Sequence, residues 1–125
     1  ILSRLAKRAE IAGKVSEPEL TAHYAWADLL VLPSIQDGFA VVLSQAAASG
    51  VPFAATHHSG GPDLIAAGVP SWIVPARSPR QLSDQLLNID EDRADLSAKV
   101  AIIQEKAVAR DWTAVAHDFV RETST

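Results

Sequence analysis

The sequence predicts an α/β protein: a parallel sheet with helices on both faces. Three observations lead there. Short apolar runs alternate with segments of helical period along the 125 residues. The run Leu29-Leu30-Val31-Leu32 is apolar at every position, as a strand covered on both faces must be, and such strands belong to parallel sheets. Helix-start chemistry recurs between the runs, at Ser16-Glu17-Pro18-Glu19 and at Ser78-Pro79-Arg80-Gln81.

In chain order, Ile1, Leu2, Leu5 and Ala9 have helical spacing, and Ile11–Val15 reads as a short strand. Ser16 is an N-cap, with Pro18 in the first turn and Glu19 closing a capping box. The helix it opens has Leu20 and Tyr24 as apolar positions, with Trp26 a further candidate. After Leu29–Leu32 comes a helix over about Phe39–Ser49, then a strand at Pro52–Thr56. A loop from His57 to Gly61 leads to a short helix near Asp63–Ala67. The fourth strand, Ser71–Val74, is closed by Pro75. Ser78 opens a helix with Leu82, Leu86 and Leu87 on its apolar face. Two more helices, about Glu91–Ala109 and Trp112–Arg121, finish the chain. Alternating strand and helix with unbroken apolar strands is the doubly wound pattern.

Composition excludes several classes of function. Apolar residues make up 48% and charged residues 21%, ordinary for a globular domain. Net charge is -4 and the basic residues are scattered, so no nucleic-acid surface is expected. With no cysteine, disulfides, thiolate metal sites and thiol catalysis are excluded. No apolar run approaches the ~20 residues of a membrane span, so no integral membrane segment is expected. The adjacent His57-His58 pair lacks a third ligand at helical spacing, and no metal site is expected there. His117-Asp118 falls on the terminal helix and reads as surface.

A sheet of this kind binds ligands at the carboxyl ends of its strands, so the residues after Leu32, Thr56 and Val74 are the candidates. Past Leu32 the chain turns through Pro33-Ser34 and enters a helix near Gly38. The first amides of that helix lack intrahelical partners and, with the helix dipole, favour a phosphate. Gly38 allows a ligand close to the backbone. Asp37 would repel a phosphate and is suited to accept hydrogen bonds from sugar hydroxyls. The plainer reading is that Asp37 caps the helix and Gly38 only turns the chain.

Gln45 lies eight residues beyond Asp37, on the order of 12 Å along a helix. Residues 41, 45 and 48 share one face, and Phe39, Val42 and Ala46 another. If the latter packs on the sheet, Gln45 looks into the cleft, at a distance that suits a ligand of sugar, diphosphate and ribose. Otherwise it is a solvated glutamine. Gly60-Gly61 before a short helix make a second candidate anion loop, beside which His57 or His58 would donate to phosphate or hydroxyl.

The ordered series ADLLVLPS, DGFAVVLSQAAASGVPFAAT, SGGPDLI, GVPSWIVP and the late Asp111-Trp112 resembles the C-terminal, donor-binding domain of retaining GT-B glycosyltransferases, the group 1 or family 4 class. No one piece is specific, but the series covers Ile11 to Trp112. The resemblance implies a Rossmann-like fold and transfer of a sugar from a nucleoside diphosphate sugar to a saccharide or lipid acceptor, with no cofactor or bound metal. It implies a catalytic role for Asp37, which would touch the donor sugar. It places Gly38, Phe39, Ala40, Gly60 and Gly61 at the donor sugar and diphosphate, and Gln45 at the ribose. Three positions depart from the family's pattern. Asp37 stands for glutamate, Ala40 for a second glycine, and Gln45 for the glutamate that binds the ribose diol. Loss of that charge-assisted pair costs about 1–3 kcal/mol.

In the family, an N-terminal domain supplies the acceptor site, and the first strands of the C-terminal domain supply the basic residues that face the diphosphate. No counterpart to either precedes Ile1. The expectation is therefore an excerpt of a longer enzyme, a single partial domain over residues 1–125, inactive alone. The whole enzyme would be cytoplasmic, with a peripheral place at the inner membrane face open to it. In the doubly wound order, Leu29–Leu32 would lie at an open edge. Ile11–Val15, a second chain or the missing upstream part is expected to cover it. The rival readings are a degenerate nucleotide-sugar-binding or protein-interaction module, and a nucleotide-sugar epimerase, whose catalytic acids find no place here. A receiver-like domain lacks its phosphoacceptor, because Asp28 precedes its strand.

Overall fold

The computed structural model describes residues 9–35 and 41–109, the side chains of 107–109 excepted. The first expected helix up to residue 8, the segment 36–40 and the terminal helix with Asp111-Trp112 and His117-Asp118 lie outside the described residues. The elements are α1 (Glu17–Trp26), β1 (Leu30–Leu32), α2 (Val41–Ala48), β2 (Phe53–Thr56), α3 (Gly61–Ala66), β3 (Trp72–Val74), α4 (Pro79–Glu91) and α5 (Arg93–Ala109). The fold is α/β and Rossmann-like, as the sequence predicts. Its three strands lie in the order β1-β2-β3, all parallel. Leu30 pairs with Phe53 and Leu32 with Ala55, while Ala54 pairs with Trp72 and Thr56 with Val74.

Local chemistry starts the helices where expected. The Ser16 hydroxyl accepts from the Glu19 amide at 3.4 Å, and the Glu19 carboxylate accepts from the Ser16 amide at 3.3 Å. Two of the four unpaired donors at the start of α1 are thereby satisfied. At α4 the Ser78 hydroxyl accepts from the Gln81 amide at 3.4 Å.

The period of a strand sends its side chains alternately to two layers. Phe53 and Ala55 face α2 and α3, in a core with Leu43, Ala47, Leu64, Val69 and Ile103. Ala54 faces the other way, onto Ile89 of α4 and Leu96 of α5. Every residue of β2 is buried, as the middle strand of a covered sheet should be. On α1, Tyr24 packs with Ala46 and Val51 beside the sheet.

Helix α5 joins the two layers. Its Leu96 and Val100 belong to the Ala54 side, but Ile103, one turn on, belongs to the Phe53 side. Lys106 then donates to the Gly68 carbonyl at 3.1 Å, in the turn that precedes β3. α5 therefore passes the amino ends of the strands and leaves the carboxyl ends to the loops.

Four expectations are corrected. Ile11–Val15 is not a strand: residues 11–14 are exposed, Ile11 by 76%, and Gly13 has φ 69°. A strand exists only by pairing, and a central glycine weakens this one further. It does not close the sheet, and the outer edge of β1 has no strand beside it among the described residues, while its three residues are half-buried. Trp26 is 85% exposed and adds nothing to the apolar face of α1. On α4 the buried position is Ile89, while Leu87 is exposed. The core face of α2 is Leu43, Ser44, Ala46 and Ala47, rotated from the expected stripe, with Val42 half-buried.

Candidate functional site

Two regions carry the candidate residues. The first is a groove of about 280 Å³ between α1 and α2, lined by Glu17, Leu20, Thr21, Tyr24, Gln45, Ala48 and Ser49. Rotation of α2 creates it. Leu43 and Ala47 turn to the sheet, so Gln45 and Ala48 turn to α1. Glu17, Leu20, Thr21 and Tyr24 follow at positions i, i+3, i+4 and i+7, the spacing of one helix face. Sequence reasoning found Leu20 and Tyr24 as apolar positions but missed Glu17 and Thr21 as groove residues. The same periodicity contained the signal.

Gln45 thus sits half-buried in a polar groove, neither fully solvated nor packed in the core. The Tyr24 hydroxyl lies 3.4 Å from both the Gln45 Oε1 and the Val42 carbonyl, so its single proton is shared between two long bonds. Burial pushes the Tyr24 phenol above its ordinary value of 10.0, because the charged form would be poorly hydrated. The phenol therefore remains a donor throughout the neutral range.

A pH dependence follows. The folded state holds the Tyr24 proton more tightly than the unfolded chain. Its contribution to stability is complete below pH 10 and is lost as pH rises through the folded value. Tyr24→Phe should flatten the alkaline fall in stability, measured as the urea midpoint across that range. An identical slope in the variant would mean that Tyr24 does not drive the fall.

The second region is at the carboxyl ends of the strands. Asp37, Gly38, Phe39 and Ala40 lie outside the described residues, but the chain that leads to them is anchored. The Thr56 hydroxyl, at the end of β2, donates to the Ser34 carbonyl at 2.7 Å. Beyond Thr56, the buried Ser59 hydroxyl donates to the Thr56 carbonyl at 2.6 Å and accepts from the Gly61 amide at 3.3 Å. Gly60 has φ 84°, a left-handed turn that favours glycine. At Gly61 a Cβ would lie 2.8 Å from Ile73 Cδ1 and 3.2 Å from Phe53 Cε2, so α3 packs onto the sheet through a residue without a side chain. The Gly60-Gly61 loop thus has an internal partner for its amide and a packing reason for its glycines.

His57 and His58 are exposed, with ring centroids 3.9 Å apart. Among the described residues no group of three metal-ligating side chains comes together. No described helix is long and apolar enough to cross a membrane. Gln45 and the Gly60-Gly61 loop belong to different regions, the former beside α1 and the latter at the end of β2.

Comparison with known proteins gives the family. A family model described as "Glycosyl transferases group 1" matches residues 1–92. WcaL of Salmonella typhimurium, whose given name is that of a colanic acid biosynthesis glycosyltransferase, is 32% identical over 82% of this chain and 27% of its own length. A D-inositol 3-phosphate glycosyltransferase of Thermobispora bispora is 33% identical over 93% of this chain and 28% of its own. A GDP-mannose-dependent alpha-(1-6)-phosphatidylinositol monomannoside mannosyltransferase of Mycobacterium tuberculosis is 29% identical over 86% of this chain and 28% of its own. The chain spans about a quarter of the length of the curated relatives it matches. With the parallel sheet, the glycine loop at the end of β2 and the matched length together, the chain belongs to the group 1 glycosyl transferases.

Proposed function

We propose that this chain is the donor-binding part of a retaining GT-B glycosyltransferase. In the whole enzyme a sugar would pass from a nucleoside diphosphate sugar to a saccharide or lipid acceptor with its anomeric configuration kept. One observation carries the donor reading: Gln45, at the ribose position of the family pattern, lies in an open polar groove with Glu17, Thr21 and Tyr24. A ribose presents vicinal hydroxyls, each both donor and acceptor. The Gln45 carbonyl can accept from one of them, and Glu17 adds a carboxylate to the same groove.

The remaining roles follow the family pattern. Asp37 orients the donor sugar through its hydroxyls. The amides of Gly38, Phe39 and Ala40, which precede α2 in the chain, would approach the sugar and diphosphate as the family pattern implies. Gly60 and Gly61 shape the neighbouring loop. The leaving phosphate helps to take the acceptor proton, and the reaction calls for no cofactor and no bound metal. Basic residues upstream in the polypeptide, or in a second chain at the β1 edge, neutralise the charge that develops on the diphosphate. This chain alone is expected to bind but not to turn over. The whole enzyme would work in the cytoplasm or at the inner face of the membrane. A binding module without chemistry is the second reading, favoured by the amide at Gln45.

Calorimetric titration of the chain with UDP and GDP tests the reading. Saturable binding of one of them is expected, with competition by the matching sugar nucleotide. If neither binds, the donor assignment is wrong. If one binds, but a polypeptide of the relatives' length shows no transfer from any sugar nucleotide, the module reading replaces the enzyme.

A further inference from the structure

The carboxyl ends of β2 and β3 hold a second constellation, around Arg77, a residue that the donor reading does not use. Two adjoining cavities open there, sharing Ile35, Pro75 and Arg77. One, of about 330 Å³, is a largely apolar slot with Pro33, Val74, Pro79 and Leu82 in its walls. The other, of about 540 Å³, is a wider mouth of mixed lining, with His57, His58 and Ala76 beside Arg77. Arg77 lines both.

Two features point to an anion in the mouth. First, the exposed Arg77, His57 and His58 line one cavity, and a guanidinium and imidazoles can each present N–H donors to a phosphate oxygen. Second, Arg77 has φ 58° and is the one non-glycine residue with positive φ among the described residues. A glycine would relieve that conformation but would remove the guanidinium. Strain held by a charged residue at a cavity mouth leads from an observed outlier to a functional hypothesis.

The site adjoins the donor region. The donor helix α2 follows β1, and with neighbouring strands about 4.8 Å apart the ends of β2 and β3 lie one and two strand spacings further along the sheet. The donor reading gives no role to Arg77 or to the apolar slot. The apolar slot beside the charged mouth then selects the ligand. We propose that this pair of cavities binds a phosphate ester of an aliphatic alcohol, with the phosphate between Arg77 and the His57-His58 pair and the chain in the slot. Its role, an anchor for a lipid-linked acceptor, rests on the glycosyltransferase reading; the binding itself does not.

The test is calorimetry of the 125-residue chain with octyl phosphate, octanol and inorganic phosphate. Octyl phosphate should bind at least tenfold more tightly than either of the others. Arg77→Gly should weaken it at least tenfold while raising the melting temperature, because the left-handed turn is relieved. The higher melting temperature shows that the variant is folded. Octanol binding as tightly as octyl phosphate would overturn the proposal, as would an unchanged affinity in Arg77→Gly. Displacement of octyl phosphate by UDP or GDP would assign the site to the donor and overturn it too. Nucleotide binding without octyl phosphate binding sinks this inference alone; the reverse sinks the donor reading alone.

Discussion

Phe53→Ala is expected to destabilise the domain by about 3–5 kcal/mol. The ring is fully buried on the middle strand, in contact with residues from three helices. Removing it loses the transfer energy of a phenyl group and leaves a cavity. That cavity cannot close easily, because Ala47 and Ala55 of the same cluster are too short to fill it. The ring edge also supports Gly61, so the loss reaches the glycine loop at the end of β2. Small domains have about 5–15 kcal/mol in total, so the variant should sit close to unfolding. The check is the urea midpoint, which should fall steeply with little change in slope. Leu87→Ala is the control: the side chain is 56% exposed, and its loss should move stability by no more than about 0.5 kcal/mol. A comparable effect at both positions would mean that the core does not centre on Phe53.

Gln45→Glu is expected to tighten nucleotide binding by about one to two decades, the equivalent of a charge-assisted pair regained. The amide offers one acceptor oxygen, and Tyr24 already points at it from 3.4 Å. A carboxylate offers two. One can keep the Tyr24 contact while the other accepts from a ribose hydroxyl. Against this stands Glu17 in the same groove, a like charge that would oppose the new one. The groove is open to water and Glu17 is exposed, so salt screens that repulsion. The gain should therefore grow with ionic strength up to the physiological range. UDP and GDP titrations of both proteins measure it. Affinity unchanged or weaker in the variant would remove Gln45 from the ribose site.

What was legible in the sequence was mostly local. The Ser16–Glu19 box and the Ser78 cap involve residues three apart, and both form as read. The runs ending in Leu32, Thr56 and Val74 became strands because they are short, apolar and bounded by turn residues, which suits a covered sheet better than a buried helix. Ile11–Val15 failed because pairing is not a local property, and no strand among the described residues accepts it. The rotation of α2 was misread by about one residue, roughly 100° around the axis at 3.6 residues per turn. An alanine-rich helix gives little to choose between adjacent stripes, since Ala46, Ala47 and Ala48 differ only in what they meet. That one-residue difference decided what Gln45 faces. The Arg77 site was hidden for a different reason. Neither the left-handed turn of Arg77 nor the cavity it shares with His57 and His58 has any signal in residue type or spacing.

The path of α5 has a consequence for where this unit of structure ends. The family model's match ends at residue 92, and α5 begins at Arg93. Yet Leu96 and Ile103 close the two halves of the core, and Ile103 reaches partners some fifty residues earlier in the chain. The unit that folds is therefore longer than the stretch the family model spans. A cut placed at that boundary would leave two greasy sockets open on the sheet, and such a piece would sooner find another copy of itself than remain in solution.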